Sequence, residues 1–429
     1  YFCTRFRKGS RFIKIDENFF LKSFGSSEKS CNFAPLFKQI TMKMIRQLFP
    51  LAIGGIALGS TEFMPMGLMR TMGESLALSD SQVGRFIAAY AIGVVVGAPT
   101  LVGLSTRFQP QRVLIALMLL FTLFNGLFAV MPSYSLLLVS RFFSGLPHGA
   151  FFGVGAIVAK QLAPKDKEAM AISVMFGGLT IANLLVIPLF THLGTILGWR
   201  PVMGMIAALG LITASCIFLF LPKVDYDKDK TLWKELQHFF SVPSMLLLVI
   251  TALGCGGLFS WLSYIEPLML DHAGLPKSQM PTLMIVVGLG MVVGNFFGGW
   301  LTDKLHLVRA SVIVFIAMIS ILVIVFFFSH LLWLAWGLTF VCAVVAMSVG
   351  APLNMMMFRV SPQAQMMGAA FMQAAFNLAN TLGAYLGGKP LDHGYTANYP
   401  SLVGAGMASA GFLCAIFLYT KYGKLFRND

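Results

Sequence analysis

Glu62 is the one carboxylic acid in the first long apolar run of the chain, and Arg141 and His148 are the ionisable residues of the fourth. Arg141, Ser144 and His148 are spaced i, i+3 and i+7, so a helix carries all three on one face. An ionisable group at membrane depth is costly, which makes each a functional candidate by default. Glu62 stands about four residues outward of the middle of its run and Arg141 about five or six, ~6 Å and ~8 Å at the helical rise. Their depths match, so they can pair. A buried carboxyl beside a cation is balanced between its charged and neutral forms, as proton exchange requires. Two readings stay open for Glu62: a proton carrier tuned by Arg141, or half of a fixed ion pair. His148 is either part of the proton path or an imidazole hydrogen-bonded between helices.

Further polar residues interrupt apolar runs. Gln373, Asn377 and Asn380 recur at i, i+4 and i+7, either as hydrogen-bonding glue between helices or as the lining of a polar path. Ser144 and Asn183 are candidates for the same path. Glu266, between Tyr264-Ile and Pro267, is a path residue or an end-of-helix group.

The elements that must position these residues are long apolar segments. A hydrophobic content of 57% with only 11% charged residues is too apolar for a water-soluble chain of this length, so lipid is the expected solvent. A membrane helix needs about 20 apolar residues. Such runs occupy 47–69, 82–104, 113–131, 135–158, 169–190, 202–221, 244–270, 281–301, 308–328, 331–356, 366–388 and 401–420. This predicts an all-α membrane protein of twelve transmembrane helices, with an N-terminal half over 42–221 and a C-terminal half over 244–429. The intervening 222–243 is a charged linker with an amphipathic stretch, Trp233–Phe240. Residues 1–41 are basic and lack a signal-peptide core, which suggests a leader that is disordered or an over-extended reading frame, with Met42 or Met44 as a natural start, or else a cytoplasmic tail.

The net charge of +14 does not point to nucleic acid, because the cations are dispersed among short loops. Arg46, Arg107, Arg112, Lys160, Lys304, Arg309, Arg359 and Lys421 fall on one side. The other side holds Arg70, Arg200, Lys277 and Lys389. The positive-inside rule therefore places both termini in the cytoplasm.

The halves echo each other. Gly93-Val-Val-Val-Gly97 in the second run corresponds to Gly290-Met-Val-Val-Gly294 in the eighth, and the same offset pairs Arg107 with Lys304 and Arg112 with Arg309. Such an echo suggests two parallel repeats of six helices, although small-residue spacing is also common wherever membrane helices pack. The run Ser140-Arg-Phe-Phe-Ser-Gly-Leu-Pro-His-Gly-Ala-Phe-Phe-Gly-Val-Gly-Ala-Ile157 resembles the fourth helix of the sugar-efflux, or arabinose-efflux-permease, branch of the major facilitator superfamily's drug:proton antiporters. Ala182–Leu189 with Pro188, followed by Gly198-Trp-Arg200, resembles the fifth-helix signature of exporters. Gly299-Trp-Leu-Thr-Asp303-Lys304 resembles the superfamily's loop motif. Thr106 departs from that motif's usual Asp in the first copy, and Val186 from a usual Gly.

The resemblance covers roughly residues 45–425 and implies proton-coupled efflux of sugars or small drug-like molecules by alternating access, in a bacterial inner membrane. Arg107, Arg112, Asp303, Lys304, Arg309 and Pro188 would be conformational residues. The expected partners are a small-molecule substrate, protons and the lipid bilayer, the chain acting as a monomer. A multidrug exporter without sugar transport is the alternative, and a membrane receptor or enzyme a more distant one. No nucleotide-binding Gly-rich loop, metal-ligand cluster or nucleophile elbow is present in the sequence, so no cofactor and no catalysis are expected. Cys216, Cys255, Cys342 and Cys414 read as small buried hydrophobes.

Overall fold

The computed structural model describes residues 33–105, 108–164, 168–224, 240–305, 307–362 and 365–426. Arg107, Thr106 and residues 225–239 of the linker, which hold all of its amphipathic stretch but Phe240, lie outside the described residues. The chain forms two compact units, Tyr1–Arg46 and Gln47–Asp429. In the first, the described residues are helical from Phe33. The 33–41 part of the expected disordered leader is thus helix. Its lone proline, Pro35, falls in the first turn, where a helix tolerates it.

The second unit holds the fold. All regular elements among the described residues are helical. Eleven are long and apolar enough to cross a membrane: α1 (Arg46–Gly67), α2 (Asp80–Ser105), α3 (Pro110–Val130), α4 (Tyr134–Leu162), α5 (Ala171–Leu197), α6 (Trp199–Phe220), α7 (Val242–Ser263), α8 (Lys277–Lys304), α9 (Leu307–Phe328), α10 (Leu332–Val360) and α12 (Tyr399–Phe426). The remaining expected segment is α11 (Gln365–Asp392), long enough but made more polar by Gln373, Asn377 and Asn380. Trp333, Phe296 and Val130 are largely exposed, an outer surface suited to hydrocarbon rather than water.

The two glycine pairs do the same job in each half. A Cβ on Gly93 or Gly97 would run into the Phe142 or Leu146 carbonyl of α4; on Gly290 or Gly294, into the Phe340 or Val344 carbonyl of α10. These glycines let α2 approach α4, and α8 approach α10, at backbone contact. Likewise α3 packs on α6, and α9 on α12. The sequence echo is therefore a structural repeat: two six-helix units with the same packing. The halves meet where α2 lies along α11 and α5 along α8.

Three predicted spans are not plain α-helices. α5 widens into a π turn at Ala182–Val186, just before Pro188. Proline has no N–H to give the carbonyl four residues back, and the wide turn absorbs the mismatch. α7 ends at Ser263, and the chain continues through Ile265–Pro267 and a π turn, Leu268–His272. Pro267 again follows the break. α10 is interrupted at Val349, between Ser348 and Gly350-Ala-Pro352.

Candidate functional site

Between the halves lies a cavity of about 460 Å³, lined from α1, α5, α7, α8, α10 and α11. Glu62 and Phe63 come from α1, and Ser173, Phe176, Thr180 and Asn183 from α5. Cys255 and Phe259 come from α7, Asn295 from α8, and Gln373, Phe376 and Asn377 from α11. Amides and hydroxyls are thus set among phenylalanine faces and aliphatic side chains such as Leu179, Leu258, Leu262, Met291 and Val349; among the described lining residues Glu62 is the one carboxyl, and there is no Lys or Arg. The π turn of α5 contributes directly. It carries Asn183 into the lining and sets its carbonyl where a Cβ on Gly288 of α8 would collide with it.

Glu62 is nearly buried, at 7% exposure. Its Oε1 accepts a long 3.5 Å hydrogen bond from the Asn380 amide of α11. Its Oε2 faces His148 Nε2 at 3.9 Å, beyond hydrogen-bonding reach. The expected direct pairing with Arg141 is absent. Arg141, fully buried, donates instead to the Phe86 carbonyl at 3.3 Å, to Thr61 Oγ1 at 3.0 Å and to the Thr61 carbonyl at 3.1 Å. Its guanidinium lies 4.5 Å over the Tyr90 ring and 5.3 Å from that of Phe128. Thr61 precedes Glu62 on the helix, so Arg141 reached the right depth but a different face of α1. Backbone and hydroxyl acceptors satisfy it there. Thr61 in turn donates to Asn125 Oδ1 at 2.5 Å, and Asn125 donates to the Phe121 carbonyl at 2.9 Å.

Other expected residues are placed as follows. Asn377 and Gln373 reach the cavity; Asn377 Nδ2 donates to the Gln373 carbonyl, while its buried Oδ1 has no hydrogen-bond partner. Asn380 belongs with Glu62 rather than to the lining. Ser144 bonds back to the Arg141 carbonyl at 2.8 Å and does not line the cavity, so the expected stripe on α4 is Arg141 and His148 only. Glu266 is buried away from the cavity and accepts the Arg70 backbone N–H at 2.7 Å. Pro188 is buried beside the π turn. Asp303, Lys304, Arg309 and Arg112 are exposed near the helix ends, with no ion pair among the described residues joining them.

One end of the bundle is clasped shut across the halves. Arg70 pairs with Asp271; Glu74 with Lys277 at 3.0 Å; Arg85 of α2 with Asp392 of α11 at 3.3 Å. Beneath this layer Tyr264 fills the space against Gly84 of α2 and Gly388 of α11, its hydroxyl donating to the Ala384 carbonyl at 2.6 Å. A second cavity, of about 620 Å³, lies at this clasped end, lined by residues that include Arg70, Glu74, Asp80 and His272. The affinity of His272 for protons is pushed down by burial and by nearby His330.

Sequence reasoning missed Thr61, Asn125, Tyr90, Cys255 and Asn295. A lone amide in an apolar run marks Asn125 and Asn295; nothing in their spacing marks the others.

Comparison with known proteins agrees with this architecture. Residues 51–388 match the Major Facilitator Superfamily model. The chain is 34% identical over 377 residues to the inner membrane transport protein YdhP of Escherichia coli (strain K12), covering 87% of this chain and 95% of that protein. It is 26% identical over 398 residues to a "Probable sugar efflux transporter" of Pasteurella multocida (strain Pm70), covering 91% and 96%. The crystal structure of a point mutant of the nucleoside transporter NupG superposes with a TM-score of 0.73 at 13% identity, over 88% of this chain and 100% of that one, a likeness of fold. With two six-helix repeats around a central cavity and a matched region spanning most of its length, the chain belongs to the Major Facilitator Superfamily of membrane transporters.

Proposed function

We propose that this transporter exports small polar molecules, sugars foremost, in exchange for protons, with Glu62 as the proton carrier. The observation that carries the reading is the solitary carboxyl of Glu62, among the described lining residues, at the wall of a cavity whose other polar side chains are neutral amides and hydroxyls, set among aromatic and aliphatic side chains. Amides match sugar hydroxyls in hydrogen bonding, and phenylalanine faces suit the apolar faces of a sugar ring. The sugar-efflux name of the Pasteurella relative supports the same substrate class. The clasp at one end is one state of an alternating-access cycle: it parts as the halves rock, and the cavity then opens to the other side. The protein resides in a bacterial inner membrane as a monomer with both termini cytoplasmic. Under that orientation the clasp faces outward, and the cavity serves the cytoplasm in the conformation described here.

Phe63, Phe176, Phe259 and Phe376 also favour a second reading, export of amphipathic drug-like molecules. Everted membrane vesicles energised with a proton gradient separate the two. Gradient-dependent accumulation of pentoses and hexoses, with lipophilic dyes untouched, is the expected result. Dye transport without sugar transport would establish the alternative, and transport unaffected by collapsing the gradient would remove the proton from the mechanism.

A further inference from the structure

Tyr90 and His148 are both fully buried, and Tyr90 Oη lies 2.7 Å from His148 Nδ1. This is the one described hydrogen bond of either side chain. The other imidazole nitrogen, Nε2, has no hydrogen-bond partner and points at Glu62 Oε2 from 3.9 Å. The phenol ring is held from its face by the Arg141 guanidinium, itself anchored on Thr61 and Phe86. Two tautomers of a neutral His148 are conceivable, and they are not equivalent here. With the proton on Nδ1, the Tyr90 O–H would be buried without an acceptor and the Nε2 lone pair would face a carboxylate. With the proton on Nε2, Tyr90 donates to Nδ1 and an N–H faces Glu62. The second arrangement leaves no buried donor misdirected. The hydrogen bond at one ring nitrogen decides what the other presents.

We infer that Tyr90 is a positioning residue for proton exchange at Glu62: its hydroxyl holds His148 in the Nε2–H tautomer, so that the imidazole is a neutral donor to the carboxylate rather than a base competing for its proton. The inference rests on the reading of Glu62 as the proton carrier. The titratable or charged groups around Glu62 are Arg141 and His148 of α4, Tyr90 of α2 and, across the cavity, Cys255 of α7; α5, α8, α10 and α11 face it with neutral side chains among the described residues. An approach of about 1 Å between α1 and α4 brings Nε2 within hydrogen-bonding distance of Glu62. The bond therefore forms or breaks with a small helix shift, which ties proton release to conformation. No proton leaves or joins His148 in this scheme. The proton taken up from cavity water resides on Glu62 alone.

The full-length protein in lipid bilayers tests this without a known substrate. Nitrogen-15 NMR of labelled histidine, with His148 assigned by its loss in His148→Gln, should show the Nε2–H tautomer; an Nδ1–H signal would overturn the inference with no Tyr90 variant needed. The infrared band of the protonated Glu62 carboxyl, assigned by its loss in Glu62→Gln, should titrate in the wild type. In Tyr90→Phe its midpoint should move to higher pH by up to about one unit, the value of the hydrogen bond to a charged group that the closer approach of α1 and α4 makes. His148→Gln should move it similarly, and the double variant should move it no further. An unmoved midpoint in Tyr90→Phe, or additive shifts in the double variant, would overturn the inference while leaving Glu62 as carrier. Absence of any titrating Glu62 band in the wild type would overturn both.

Discussion

At the scale of single residues, Glu62 and Arg141 have separate roles. Arg141 is a buried cation satisfied by Thr61 and by the Phe86 carbonyl, with aromatic rings over its face. It does not depend on Glu62 for a counter-charge at contact distance. Glu62→Gln therefore leaves no orphaned cation, and we expect thermal stability in detergent to change by less than about 1 kcal/mol, because only the long Asn380 bond is altered. Gradient-driven export should fall to background in the same variant, with substrate binding retained. Arg141→Gln should behave oppositely, lowering the melting temperature by several degrees: each buried acceptor left unpaired costs about 1–3 kcal/mol. Equal loss of stability in the two variants would restore the ion-pair reading, and wild-type export by Glu62→Gln would remove it from coupling.

At the scale of elements, the breaks in α5, α7 and α10 and the polar stripe of α11 are the informative places. Gln373 and Asn377 reach the cavity, and Asn377 makes only a local bond to the Gln373 carbonyl. Leucine at either position should therefore keep the fold while changing substrate affinity in vesicle uptake. Unchanged affinity in both variants would reduce the stripe to packing. Gly288 meets the Asn183 carbonyl at the π turn, so Gly288→Leu should wedge α8 from α5. Overpacking of this kind costs about 1–3 kcal/mol and should depress both stability and transport. Gly337, with nothing near its Cβ position, is the control: Gly337→Leu should change neither. Similar behaviour of the two leucine variants would show that the α5–α8 approach is not tight.

At the scale of the whole molecule, the clasp and the topology can be tested independently. Exposed ion pairs contribute about 0–1 kcal/mol each, so the three together bias the closed end by roughly tenfold and no more than about a hundredfold. Such a bias suits a gate that must open in every cycle. Replacing Arg70, Arg85 and Lys277 together by alanine should raise the labelling rate of a cysteine at Ser81, a buried position on α2 facing Gly388 of α11, by a membrane-impermeant thiol reagent. An unchanged rate would mean that Tyr264 and the apolar packing alone hold that end. For orientation, a reporter active only in the cytoplasm should work at position 230 and fail within 272–278; the reverse would invert the proposed direction of transport.

Twelve apolar runs, the six-plus-six division and the repeat were legible in the residues, because a bilayer demands long self-satisfied helices and short loops, constraints that act locally along the chain. The matching depths of Glu62 and Arg141 were legible for the same reason, since depth follows from position along a helix. Which side chains touch was not. A rotation of α1 by one residue, from Glu62 to Thr61, decides whether Arg141 meets a carboxylate or a hydroxyl, and hydropathy carries no information about rotation. The breaks at Asn183 and Tyr264 were hidden because Pro188 and Pro267 can kink, end or widen a helix, and the neighbouring helix selects among these outcomes. The link from Tyr90 through His148 to Glu62 joins α2, α4 and α1, residues far apart in the chain and unrelated in spacing. Only the packing of those three helices, which Gly93, Gly97 and Gly145 allow at backbone contact for α2 and α4, brings the chain of groups into line.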